Sequence, residues 1–474
     1  MKQDILRDNL RLLITNVIVK PAWLVFILFS ARILGPESFG LYSLAVLIVS
    51  VVFIVFELGV DVNTFKSLAT TENRDPSLIH RAFMAKSVLS TLCGLMLAGM
   101  SFFLDATLGE FIRIAIPFLM AQSMILFVRH LFRAYIRFDL ESRSIIVERS
   151  TTIVLGSLAL WLTADAKWYL MAFTAAYSFT VVHDLIQFKR NSGISFARST
   201  PGSVVRYIRT GASIGVYNAL GVLFSRVSSI IFYAGGMSTA DIGRFNAGNR
   251  LFDSFALLPT IITEPLYPRM CKAINNRNEL TELVRFPAVF QFAFGTLAAM
   301  LAITHHQALI GFLLGAEYAV ASLEIALTFS VLMAFSVTTI TSKLIIAAGE
   351  ERVMSRILVV FTVSQILFLY LASQVWGLMG VVLVYVAHEA FYAIVLSGVA
   401  FRRLNHWDVV RGYVLVLLSA LVSLGLIQWI PDFNPLLAIT FQTIIFGMML
   451  FATRILRIDH ATRLLDVILR RNNE

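Results

Sequence analysis

Charge is what this 474-residue chain has least of: Asp, Glu, Lys and Arg make up 14% of it, against 58% hydrophobic residues. So little polar material cannot cover a soluble globule of this size, and the composition places the chain in a bilayer. Cysteine is almost absent. Cys93 and Cys271 show neither metal-ligand spacing nor a disulfide framework and are read as structural. A Gly-rich phosphate-binding loop is missing, so ATP hydrolysis within the chain is not expected, and no cofactor is implied. The His305-His306 pair lacks the carboxylate and spacing of a metal site. No catalytic constellation is visible, and a non-enzyme is expected. The first apolar run carries Lys20 and Pro21 in its middle and no small-residue cleavage pattern, which reads as a retained span. A net charge of +10 could suit nucleic acid if it were spread over a surface, but its distribution excludes that partner.

All but seven of the 39 Lys and Arg residues fall at alternate connections between apolar runs. The exceptions are Lys20, Arg32, Arg113, Lys167, Arg226, Arg244 and Arg250. Fourteen spans fit this alternation, at 12–31, 40–60, 83–104, 111–132, 147–163, 168–187, 211–233, 245–268, 286–304, 321–342, 356–374, 378–399, 412–430 and 434–453. The fold class expected is an all-α polytopic membrane protein with both termini cytoplasmic. The connections on the other side, such as Asp105 to Glu110 and Ala164 to Lys167, are too short to house a catalytic domain.

The turn Arg32-Ile33-Leu34-Gly35-Pro36-Glu37-Ser38-Phe39-Gly40 separates the first two spans, and a related turn returns at Tyr233 to Phe245. Gly40-Leu41-Tyr42 then matches Gly243-Arg244-Phe245, each opening the second span of its half. Six spans per half is an even number, so the halves are expected to be related by an axis along the membrane normal. The divisions are 1–200 and 201–404 as six-helix lobes, 405–455 as two additional spans, and 456–474 as a basic amphipathic tail suited to anionic inner-leaflet lipids.

Charges inside apolar helices are costly unless they face protein or water, so these mark candidate sites. Lys20 lies mid-span one turn beyond Asn16, and Arg226 lies in span seven after Asn218. With Arg250 in span eight they would form a positive chamber, with Arg32 and Arg244 at its rim. Arg129, Arg133 and Arg137 recur every four residues, as either a basic ladder along an extended fourth helix or an ordinary positive-inside helix end. Glu57 and Asp61, four apart, are expected on one helix face, neutralised by Lys66 or by a base from another helix. Asp253 is spaced to pair with Arg250, and Asp253, Glu264 and Glu389 complete the candidates for a coupling or counter-charge role. Pro259, Pro265 and Pro268 should interrupt span eight.

The run Ala31 to Ala45, Glu57-Leu58-Gly59-Val60, Gly243-Arg244-Phe245-Asn246-Ala247, Pro265-Leu266-Tyr267-Pro268 and Ile310 to Tyr318 resembles polysaccharide-biosynthesis transporters of the O-antigen flippase type. These belong to the multidrug, oligosaccharidyl-lipid and polysaccharide exporter superfamily. The resemblance implies two lobes in a V-shaped, MATE-like arrangement, alternating access, and transfer of undecaprenyl-pyrophosphate-linked repeats to the periplasmic leaflet of the bacterial inner membrane. A glycan polymerase and a chain-length regulator are the partners it implies. Many relatives carry an acidic residue before the arginine of span seven, where this chain has Ser225. Alternatives within the fold are a peptidoglycan lipid-precursor flippase and a drug/cation antiporter. Outside it stand a membrane glycan ligase or polymerase, against which the short outer loops argue, and a non-transporting scaffold.

Overall fold

The structure, a computed structural model, describes residues 2–57, 59–70, 76–192, 200, 202–211, 226–404, 406–427 and 434–453. Among the described residues there is no strand. With no water to satisfy peptide groups in hydrocarbon, apolar runs of this length close their hydrogen bonds internally as helices. Eleven helices among the described residues are long and apolar enough to cross a membrane. The sequence's fourteen differ from this in three places. The first of the eleven, Val19–Phe56, contains the break expected between spans one and two; most of span seven lies outside the described residues; and span eight is cut into short helices. Large apolar side chains stand outward in numbers no soluble surface tolerates, including Phe103 at 92%, Trp161 at 81% and Phe312 at 78% exposure. Phe102, Phe103, Trp161 and Trp168 cluster at helix ends, as an interfacial aromatic belt requires.

The chain divides into two compact units: Met1–Ala234 with Ser238–Gly243, and Gly235–Met237 with Arg244–Glu474. The first contains α1 (Lys2–Phe56), α2 (Val60–Thr70), α3 (Pro76–Met100), α4 (Ala106–Ala134), α5 (Phe138–Thr163), α6 (Ala166–Ser192) and α7 (Ser228–Ala234). Its α4 and α5 pack on α6, and α1 lies along α5. Helix α1 breaks at Gly35, whose φ of 71° favours glycine, and Pro36 reopens the helix with its φ already set. Asp105 caps α4 by accepting from the Thr107 backbone N–H at 3.1 Å.

The next helix, α8 (Thr239–Phe255), begins against this break. A β-carbon on Gly40 would strike the carbonyl oxygen of Thr239, and one on Gly243 would strike that of Pro36. Each glycine thus rests on the carbonyl four residues before the other. The two positions that the sequence pairs as repeat equivalents touch one another, backbone on backbone, in the manner of small-residue helix crossings in membranes.

The second unit continues α8 and adds α9 (Leu257–Thr263), α10 (Tyr267–Ala273), α11 (Arg277–Thr304), α12 (His306–Leu314), α13 (Ala316–Ala319), α14 (Ser322–Leu327), α15 (Val331–Ala347), α16 (Glu351–Val375), α17 (Gly377–Ala400), α18 (His406–Ile427) and α19 (Pro435–Ala452). Glu264–Leu266, carrying Pro265, forms a 3-10 turn between α9 and α10, so the prolines do interrupt this stretch. The core joins Val289, Phe292 and Met300 of α11 to Val337, Val416 and Phe446. The last two helices are therefore built into this core: α18 lies on α11, and α19 on both.

Candidate functional site

In the first unit an ionic network ties α4, α5 and α6 together. The Arg129 guanidinium donates to Ser144 Oγ at 2.8 Å and to Glu148 at 2.6 Å, with Glu148 nearly sealed from solvent. Ser144 passes the chain on to Asp184 at 2.5 Å, and Asp184 meets His183 Nδ1 at 3.0 Å. Arg133 donates to Glu141 on α5 at 2.8 Å through its Nε. The cations expected to form a ladder thus have protein carboxylates as partners. Arg137 is not on the fourth helix: α4 ends at Ala134, Ile136 has a φ of 57°, and Arg137 stands just before the next helix, pairing with Asp139.

A second cluster surrounds Lys86, whose side chain is wholly buried. Its ammonium reaches Glu57 at 2.7 Å and both oxygens of Asp61 at 2.9 Å. Ser123 also donates to Glu57. The expectation that Glu57 and Asp61 share a helix face fails, because α1 ends at Phe56 and Gly59, with φ 70°, breaks the chain before α2. The two carboxylates converge through the bend instead, and Lys86, a base from another helix, neutralises them in place of Lys66.

Lys20 is exposed on α1. The charge acting on it is Arg149 of α5, whose guanidinium lies 3.9 Å from the centre of the Trp23 ring. Sequence reading assigned Arg149 to a cytoplasmic helix end because it began span five at 147. The helix in fact starts at Phe138 and moves Arg149 toward its middle. Arg226, at the edge of the described residues, and Arg32 are both exposed. Asn218, Asn16 and the expected tail lie outside the residues or side chains described.

In the second unit Arg250 faces Asp253 at 3.8 Å, three residues on. Glu264 pairs with Lys343 at 2.9 Å, and Lys343 also approaches the Tyr267 ring. Glu389 is partly buried, with Gln365 Nε2 at 3.5 Å and Tyr385 close by, while its neighbour His388 meets Ser364 at 3.0 Å. Arg244 is half-buried near Tyr318. His305 and His306 hydrogen-bond to Gln442 and Ser322 at 2.9 and 2.8 Å. Among the described residues no group of His, Cys, Asp or Glu is arranged to hold a metal, and both cysteines are free.

The sequence model of the family described as polysaccharide biosynthesis protein matches residues 5–274. No curated protein matches by sequence. Among solved structures, the inward closed conformation of the lipid II flippase MurJ is similar, with a TM-score of 0.71 at 12% identity over 94% of this chain and 99% of that one. An inward-facing multidrug resistance MATE transporter of the MOP superfamily is similar with a TM-score of 0.65 at 16% identity, over 84% and 98%. A MOP superfamily transporter from Pyrococcus furiosus, described by the reversed polarity of its binding pocket, gives 0.58 at 14%, over 85% and 95%. These likenesses give the fold.

Proposed function

Because this chain belongs to the polysaccharide biosynthesis protein family, we propose that it flips a polyprenyl-diphosphate-linked oligosaccharide, of the undecaprenyl type, from the cytoplasmic to the periplasmic leaflet by alternating access. The observation that carries the reading is the presence of cations within stretches that the sequence reads as spans, in a protein with this family's sequence pattern: Lys20 in α1, Arg226 before α7 and Arg250 in α8. A diphosphate needs charge-assisted donors, and the polyprenyl tail can stay in lipid while the headgroup crosses. Arg32 and Arg244 belong to the rim of that path. Glu57, Asp61, Asp253, Glu264 and Glu389 serve as counter-charges or as coupling groups. The setting is the bacterial inner membrane, with both termini cytoplasmic, anionic lipids around the chain, and a glycan polymerase and chain-length regulator downstream.

A second reading, a flippase for a peptidoglycan lipid precursor, is favoured by the match to MurJ over nearly the full length of both chains. Both readings share the diphosphate-linked headgroup. Alanine substitution of Lys20, Arg226 and Arg250 in a cell dependent on the pathway tests the first. Loss of surface glycan at normal protein level is expected; unchanged glycan in all three variants overturns it.

A further inference from the structure

Arg149 is a half-buried base that the proposed function does not use. Helix α5 has 26 residues and is about 39 Å long, against roughly 30 Å of hydrocarbon, and Arg149 lies about 16 Å from its first residue. A guanidinium at that depth needs partners. Close packing of α1 on α5 supplies two: Gly156 leaves room for the Phe26 ring, and one turn back along α1 the Trp23 ring lies against the Arg149 guanidinium, 3.9 Å away. The Arg149 Nε also sits 3.3 Å from Glu148.

Charge around this point does not balance. Glu148 is already engaged by Arg129 at 2.6 Å and by the Tyr177 hydroxyl, so its one negative charge is divided between two arginines. Asp184 lies beyond Ser144, on the Arg129 side, beside His183. Lys20 lies one turn before Trp23 on α1, so its charge and that of Arg149 act on one another, and Lys20 has no ion pair among the described residues. Two like charges on packed apolar helices, with only a share of one carboxylate to offset them, favour an anion beside them. The Arg149 side chain keeps 28% of its surface open, so the place is reachable. With Nε turned to Glu148 and one face on Trp23, its terminal nitrogens are left for a forked contact with an oxyanion.

We infer that Lys20 and Arg149, braced by Trp23 and Glu148, form an oxyanion site within the first unit, and that it takes a phosphate-ester anion. The inference rests on the flippase reading only in naming the diphosphate of the lipid-linked substrate as occupant. A phospholipid headgroup offers the same chemistry, and the test separates the two.

The full chain in phosphatidylcholine nanodiscs is dialysed against radiolabelled inorganic pyrophosphate. Saturable binding is expected, weakened about tenfold by Arg149→Gln and by Lys20→Gln, and partly kept by Arg149→Lys. Arg352→Ala, at the exposed start of α16 and outside any proposed site, should bind as the unaltered chain does. Lys20 is exposed, so its variant decides the matter if Arg149→Gln does not fold. Geranyl pyrophosphate should displace the label, and phosphatidylglycerol added to the nanodisc should not. No binding by the unaltered chain, unchanged affinity in Lys20→Gln, or equal displacement by phosphatidylglycerol would overturn the assignment. Binding that follows these variants in a chain unable to move lipid-linked sugars would instead overturn the flippase reading and leave the site standing.

Discussion

At the scale of single residues, the first unit is organised by buried ion pairs. Arg129 and Glu148 are both nearly sealed, so removing Arg129 leaves Glu148 in a low-dielectric setting with only the 3.3 Å ion pair to Arg149 among the described residues. Arg129→Ala should therefore cost about 3–5 kcal/mol, seen as a clear drop in the thermal unfolding midpoint in detergent. Replacing both, as Arg129→Met with Glu148→Leu, should recover much of that loss. Lys86→Met should destabilise in the same way, because Glu57 and Asp61 would then face each other without the ammonium. The same thermal scan checks it. None of these partners was legible from spacing. Lys86 is 25 residues from Asp61, and Arg129 is 19 from Glu148, on other helices. One sequence shows which charges are improbable in lipid, but not which of them meet.

At the scale of elements, the glycine crossing of α1 and α8 was half legible. Gly35, Pro36 and Gly40 announced a break, and Gly243 repeated it. That Gly40 and Gly243 touch each other follows only from the folded chain. Because each faces a backbone carbonyl, no side chain can move aside to admit a methyl group. Gly243→Ala should lower stability by about 1–3 kcal/mol, measurable as reduced monodisperse yield and unfolding midpoint. Gly311→Ala, where nothing lies within reach of the added carbon, should be tolerated. Helix α5 shows why hydropathy misplaces an end. Asp139, Glu141, Arg143 and Ser144 read as a loop, yet Glu141 and Ser144 are buried against Arg133 and Arg129, so polar residues that satisfy each other extend the helix. That shift of the helix start moved Arg149 from a helix end into the interior.

At the scale of the whole molecule, composition alone was enough for a polytopic helical membrane protein, since 58% apolar residues leave no other solvent for the chain. The family followed from short motifs in order, and the matching family model and the MurJ and MATE folds agree with it. The measurement closest to the central claim is transbilayer movement by the purified chain. Proteoliposomes carrying a fluorescent undecaprenyl-diphosphate oligosaccharide are exposed to a membrane-impermeant quencher. In protein-free vesicles about half the label, the outer-leaflet share, should be quenched. With the chain present the quenched fraction should rise toward completion, and more slowly with Lys20→Ala or Arg226→Ala. A fraction that stays at the protein-free level, with the chain correctly inserted, would contradict the account.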